Sequence, residues 1–336
     1  QFYNEHFNDI LNLYKQNLKH LESIVENKDY NKYNQVFSSV QENLGKHLKD
    51  SFMESKTLAE KLNGKKTKTA LLGPAGSFTD EAAKKHSQNT EKLYFDNIKD
   101  IINAVKEGMT DYAIVPLENS IGGTIAEAID QIYINKLKIE KVLIRPIEYC
   151  AASLSRTTEP EIIMGHPQAF VQCSDFIERN YPDTKVIHTL SNSEAFKKIK
   201  ENGLINALAL GPSYAADIYG LNIIEKNVED NPNNKTRFAV ITNKKYITKK
   251  GDKSSVVIDP GKDRPGLLFD LLKYFKEKDI NLCRIESRPS KDKLGVYVFH
   301  VEFDGNIHDD KIQSALKEIE KDAKVTYLGS YREEQV

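Results

Sequence analysis

Cysteine is scarce: Cys150, Cys173 and Cys283 are too few and too far apart for a disulfide framework, and none forms the CxxC pair that zinc sites use. No apolar run approaches the roughly 20 residues of a membrane span, and no signal peptide opens the sequence. Neither sign of charge is in excess. The 48 Lys+Arg against 49 Asp+Glu leave a formal net charge of −1, which gives no general attraction to nucleic acid or anionic membrane. Proline is missing from the first 68 residues, which hold only Gly45 and Gly64, and no arginine precedes Arg145. These absences leave a cytoplasmic protein of 336 residues, about two domains by length, that handles small molecules.

What is there falls into three segments. Residues 1–66 place apolar side chains at helical spacing (Phe7, Ile10, Leu11, Tyr14, Leu18, Leu21, Val25, then Tyr33, Val36, Phe37, Val40, Leu44), which predicts two or three amphipathic helices. Residues 67–245 alternate short apolar runs with amphipathic stretches, the pattern of an α/β domain. Candidate strands are Thr69–Leu72, Tyr112–Val115, Val142–Ile144, Ala207–Leu210 and Phe238–Thr242. Thr124-x-x-Glu127 and Ser191-x-x-Glu194 have the form of capping boxes. Leu71-Leu72-Gly73-Pro74 and Ala209-Leu210-Gly211-Pro212 echo each other, which suggests two similar lobes. After the lysine-rich stretch 243–253, residues 253–332 read strand, helix, strand, strand, helix, strand, the ferredoxin-like order.

Four motifs could carry chemistry. Gly73-Pro74-Ala75-Gly76-Ser77-Phe78-Thr79 joins a strand to a helix, where Ser77 or Thr79 can cap the helix or bind an anion. It fits neither a Walker loop nor a dinucleotide fingerprint. Glu118-Asn119-Ser120 follows a strand, at the end where open α/β sheets bind ligands. His166-Pro167-Gln168 opens a helix that puts Gln168 and Gln172 on one face, either as a ligand-binding pair or as a solvated polar face. Thr236-Arg237-Phe238 stands at a strand mouth, where a guanidinium suits a carboxylate and an ordinary surface arginine is the alternative. No paired carboxylates, metal cluster or Ser/His/Asp set is evident by spacing. On residues alone the reading is a two-lobed α/β protein that binds a small polar anion.

Together, in this order and spacing, these motifs resemble the prephenate dehydratase family. Residues 253–332 resemble the ACT domain such enzymes carry, with Pro265-Gly266-Leu267-Leu268 and Ile285-Glu286-Ser287-Arg288-Pro289. The resemblance implies a two-lobed, periplasmic-binding-protein-like fold and conversion of prephenate to phenylpyruvate, water and carbon dioxide, with no metal or organic cofactor. It implies Thr236, Asn119 and Gln172 as catalytic residues. Arg237, Gln168, His166, Ser77, Thr79, Glu118 and Phe238 would bind substrate, with Arg237 on the pyruvyl carboxylate. It further implies L-phenylalanine as an allosteric inhibitor held by Gly266, Leu267, Leu268, Glu286, Ser287 and Arg288, in a homodimer or homotetramer. Two departures from the family pattern are Gly165, where serine is common, and Ser77, where threonine is common.

The N-terminal segment is similar to a helical chorismate mutase, with Phe52-Met53-Glu54-Ser55 through Glu60 as its final helix and Lys28 and Lys32 near the cationic positions. That opens a bifunctional mutase–dehydratase reading. A non-catalytic two-lobed amino-acid sensor is the alternative from another class. Mutase folds clamp two substrate carboxylates chiefly with arginine, and none is present here. Lysine supplies charge without the planar bidentate fork. The expectation is a mutase-shaped arm that serves dimerisation.

Overall fold

The computed structural model describes residues 66–336 apart from 87–89, 157–158, 245–250 and 291–295. But for its last residue, the helical segment read over 1–66 lies outside the described residues.

The first lobe contains β1 (Thr67–Leu72), α1 (Phe78–His86), β2 (Thr90–Phe95), α2 (Ile98–Lys106), β3 (Tyr112–Asn119), β4 (Gly123–Thr124), α3 (Ala126–Ile134) and β5 (Lys138–Pro146). The second contains β6 (Cys150–Ser153), β7 (Ile162–Gly165), α4 (Pro167–Gln172), α5 (Ser174–Asn180), β8 (Lys185–His188), α6 (Asn192–Glu201), β9 (Ala207–Gly211), α7 (Ser213–Tyr219) and β10 (Asn222–Lys226). The chain then returns to the first sheet as β11 (Lys235–Thr242). A C-terminal module follows: β12 (Lys253–Asp259), α8 (Leu267–Glu277), β13 (Leu282–Pro289), β14 (Tyr297–Asp304), α9 (Asp310–Ile319) and β15 (Lys324–Tyr331). The short β16 (Glu333–Gln335) comes after it.

The first sheet runs β16-β5-β11-β3-β1-β2 with β4 hairpinned onto β3, and the second runs β10-β6-β9-β7-β8. Both are mixed: in the first, β1 is parallel to β2 and β3, whereas β11 is antiparallel to both β3 and β5. In the second, β7 is parallel to β8 and β9, whereas β6 is antiparallel to β9 and β10. Central strands are buried on both faces, as the unbroken Ala207–Gly211 run predicts. Chain crossings lie after β5 and before β11, so two linking segments join the lobes and the motif loops open between them.

Local chemistry explains most boundaries. Ser191 caps α6 by accepting the Glu194 N–H, as its capping box predicts. The other box fails. Helix α3 begins after Ile125 with no side-chain cap, because Thr124 belongs to β4 and its hydroxyl accepts a bond from Arg284 of β13. β3 also runs further than its apolar stretch, through Pro116 to Asn119.

The module has the expected βαββαβ order, in a sheet β13-β14-β12-β15. Its helices cover one face through Leu271, Phe275, Ile312 and Ile319 against Val256, Val301 and Phe303. The other face packs on the first lobe, where Val257, Val298, Leu328 and Tyr331 join Ile129, Ile132 and Ile139 in one core. β16 then pairs parallel with β5, so the last strand belongs to the first sheet. Among the described residues no helix is long and apolar enough to cross a membrane.

Candidate active site

The motif loops meet between the lobes. Thr236 lies opposite Asn119 in the antiparallel pairing of β11 and β3. Asn119 Nδ2 donates to Thr236 Oγ1 at 2.9 Å and to Asn234 Oδ1 at 2.7 Å. Asn119 Oδ1 accepts the N–H groups of Ile121 and Gly122, which fixes which end of the amide faces Thr236. Asn234 Nδ2 donates to Gln172 Oε1 of α4 at 3.0 Å, so a relay of amides runs from the second lobe to the threonine. Thr236, Asn234 and Gln172 are 6%, 1% and 8% exposed. Among the described residues Thr236 Oγ1 accepts from Asn119 and has no protein acceptor for its own proton. An accepted bond on a buried hydroxyl strengthens that hydroxyl as a donor.

His166 and Gln168 form the second-lobe wall. His166 caps α4, its Nδ1 accepting the Gln168 N–H at 3.2 Å while its backbone N–H donates to Asn192 Oδ1 at 3.0 Å. Desolvation, then the nearby His188, holds its pKa below the ordinary histidine value. The neutral ring that fits this capping bond carries its proton on Nε2. Gln168 is exposed and approaches the first lobe: a Cβ on Gly122 would lie 3.3 Å from Gln168 Nε2 and 3.5 Å from Asn119 Oδ1.

The glycine-rich turn is built for close approach. Gly76 has φ +82°, and a Cβ there would meet Ala215 Cα of α7 at 2.9 Å. Tyr219 Oη of α7 donates to Ala75 O at 3.0 Å, tying the turn to the second lobe. Ser77 was expected to bind substrate, but its hydroxyl is committed: it donates to Leu72 O and accepts the Asp80 N–H. Thr79 is buried in the first turn of α1. Asp80 is fully buried and accepts from Gly76 N, Lys92 and Tyr94, and so anchors the turn.

Three expected substrate ligands point elsewhere. Adjacent residues on a strand face opposite sides of the sheet, and Arg237 leaves β11 on the face away from Thr236. Its Nε donates to Glu333 at 2.9 Å and its Nη1 to Glu118 at 3.0 Å. Nη1 and Nη2 also grip Glu302 of the module. Arg237 and Glu118 are therefore structural partners at the junction with the module. The surrounding carboxylates raise the Arg237 pKa despite burial, and Glu302 is held below the usual carboxylate range because Arg237 outweighs its desolvation. Phe238, 2% exposed, is core, packed with Leu71, Ile114, Leu143 and Val240.

The expected effector residues divide in the same way. Gly266 adopts φ +78° at the start of α8, where a Cβ would meet only open space within 4 Å; Leu267 is core, and Leu268 is exposed. On the edge strand β13, Ser287 is exposed, whereas Glu286 and Arg288 face the first lobe: Glu286 binds Arg284, and Arg288 binds Asp130 of α3. Burial pushes the Cys173 thiol up, which suits a core residue, and no carboxylate, histidine and cysteine group capable of holding a metal occurs among the described residues.

Sequence reasoning missed Asn234 and Asn192. Asn234 closes a run, Asp230-Asn231-Pro232-Asn233-Asn234, that reads as turn residues. Its only signal is the two-residue spacing to Thr236, which puts both on one face of the chain as it enters β11.

A mixed α/β catalytic region with its polar site between two lobes, carrying a ferredoxin-like module, defines a two-lobed enzyme of the periplasmic-binding-protein-like type. The profile described as prephenate dehydratase matches residues 69–246, and that of the ACT domain matches 257–321; the chain belongs to the prephenate dehydratase family and is an enzyme of that type. A prephenate dehydratase of Lactococcus lactis is 36% identical over 270 residues, covering 79% of this chain and 97% of that protein. A bifunctional chorismate mutase/prephenate dehydratase of Aquifex aeolicus is 35% identical, covering 80% of this chain and 74% of the relative. Among solved structures, a prephenate dehydratase of Arthrobacter aurescens in complex with L-Phe superposes with a TM-score of 0.74 at 27% identity, covering 79% and 89% of the two chains.

Proposed function

We propose that prephenate binds between the lobes and that Thr236 donates to its departing hydroxyl. In the reaction the bond from ring C1 to its carboxylate breaks, and the electron pair moves through the ring to expel the C4 oxygen. Carbon dioxide leaves, and hydroxide departs as water once protonated. Aromatisation supplies the driving force. What the protein must provide is a donor placed where negative charge develops.

One observation carries this assignment: the buried hydroxyl of Thr236 accepts from Asn119, which is backed by Asn234 and Gln172, and has no protein acceptor for its own proton among the described residues. The proton it gives is replaced from solvent, which balances the hydroxide released. Gln168 and the Nε2–H of His166 orient the substrate from the second lobe. With Arg237 facing the module, the pyruvyl carboxylate is left to neutral donors such as these and to backbone N–H groups at the start of α1. A ring carboxylate without a strong cation suits the chemistry, because tight ground-state binding of a charge that disperses would slow the reaction.

L-phenylalanine is the effector in this reading, bound by the module between copies of the chain, with Gly266, Leu268 and Ser287 the accessible contributors. Exposed Leu268 and Phe269 at the start of α8 support a homo-oligomeric contact there. Phenylpyruvate formation from prephenate, followed by absorbance with the wild type and Thr236→Ala, tests the catalytic assignment. Wild-type turnover in the variant would remove it.

A further inference from the structure

The ladder that carries the site is interrupted next to it. β3 and β11 pair Thr236 with Asn119 and Arg237 with Glu118, but the following pair is Phe238 with Pro116, so Leu117 is unmatched and the register shifts. Proline has no N–H for a ladder, and a bulge loosens the pairing around it. The end of β3 that bears Asn119 is therefore offset from the regular part of its ladder with β11, whereas β11 itself stays in unbroken register with β5 from Lys235 to Val240.

Side chains on the outer face bridge that interruption. Arg237 Nη1 donates across the two strands to Glu118 at 3.0 Å. The same guanidinium is held bidentately by Glu302 of β14, a residue of the module. Glu302 is 6% exposed and is itself fixed, accepting from Tyr331 Oη at 2.8 Å, with Ser255 Oγ 2.6 Å from that phenol. Bidentate Arg–carboxylate geometry constrains direction as well as distance. Glu302 lies on the far side of the first sheet from Thr236, so it does not touch substrate.

We propose that Glu302 is a positioning residue for the dehydration. By fixing Arg237, and through it Glu118, it holds β11 against β3 at the spacing that keeps Asn119 2.9 Å from Thr236 Oγ1. The inference rests on Thr236 being the donor. It makes turnover depend on a side chain of the regulatory module, and it gives any shift of that module's sheet a two-residue path to the reacting hydroxyl.

The test uses the full-length chain. Glu302→Gln keeps the shape and removes the charge; kcat is expected to fall about 10- to 100-fold, the scale of a sub-ångström to ångström misplacement, with KM for prephenate within about twofold. Glu302→Asp, which keeps the charge, is expected to retain more kcat than Glu302→Gln. A cycle with Thr236→Ser separates positioning from general destabilisation: the combined kcat loss should be smaller than the product of the single losses. If Glu302→Gln does not fold, Glu302→Asp takes its place in the cycle. Wild-type kcat in the Glu302 variant, or losses that simply multiply, overturns the proposal. Full turnover in Thr236→Ala would instead remove the donor itself.

Discussion

Thr236 and Arg237 are chain neighbours that serve opposite faces of one sheet: the threonine hydroxyl is 2.9 Å from Asn119 on the cleft side, and the arginine is 3.0 Å from Glu118 on the module side. Their substitution should separate the two roles.

Thr236→Ala is expected to lower kcat by about 10²- to 10³-fold, the usual cost of a lost transition-state donor, with KM changed less than about threefold. Steady-state phenylpyruvate formation measures both. A rise in KM with kcat preserved would reassign Thr236 to ground-state binding.

Arg237→Ala should act first on stability. It leaves Glu302, Glu118 and Glu333 with their shared cation removed, and breaking one side of a buried ion pair costs about 3–5 kcal/mol. Denaturant unfolding reads the loss. A selective rise in KM with unchanged stability would return Arg237 to the substrate.

Gly76→Ala is expected to impair both folding and turnover. The left-handed φ of +82° disfavours any side chain, and the added Cβ falls 2.9 Å from Ala215 Cα in the other lobe. A loss of about 1–3 kcal/mol with lowered kcat is the expected outcome. Unaltered thermal stability would mean that the turn and α7 separate freely.

Stability should fall in mild acid through His300. This ring is buried, neither nitrogen has a hydrogen-bond partner among the described residues, and desolvation pushes its pKa down to about 4. Asp130 of α3 and Glu286 of β13 oppose that shift, and Arg284 and Arg288 of β13 reinforce it. The unfolded chain, with an ordinary histidine pKa, binds the proton first. The contribution is therefore whole above about pH 6.5 and is lost as pH falls towards 4, on the order of 3 kcal/mol in all. Urea midpoints between about pH 4.5 and 7 should show the slope in the wild type and a flatter one in His300→Phe.

Chorismate turnover should be absent or far below dehydratase turnover. Residues 1–66 contain no arginine to fork the two carboxylates of that substrate. Chorismate disappearance at a rate comparable to prephenate turnover, and lost in Lys28→Ala, would make the enzyme bifunctional.

Most of the candidate site is legible because each motif sits at a strand end or helix start, where residue type alone suggests a role. Asn119, Thr236, Gln172, Gln168 and His166 all come to the junction of the lobes. Arg237 parts from Thr236 because the period of two along a strand sends it to the opposite face, where Glu118, Glu302 and Glu333 hold it. Asn234 was hidden among turn asparagines. β16 could not be seen at all, since Glu333-Glu334-Gln335 has no strand pattern and pairs only because β5 offers an edge. Thr124 failed as a cap because β4 recruited it, a tertiary choice that no local box records.

β16 bears on how such enzymes can be re-engineered. Joining a foreign effector module in the stretch 243–252 treats the two parts as interchangeable cassettes, yet the native C-terminal portion hands β5 its edge strand and supplies two of the three carboxylates around Arg237. A graft lacking equivalents of Glu302, Glu333 and β16 would leave an open sheet edge and a buried cation short of partners, the conditions for insolubility. Transplanting a new sensor therefore means transplanting its grip on the catalytic sheet as well.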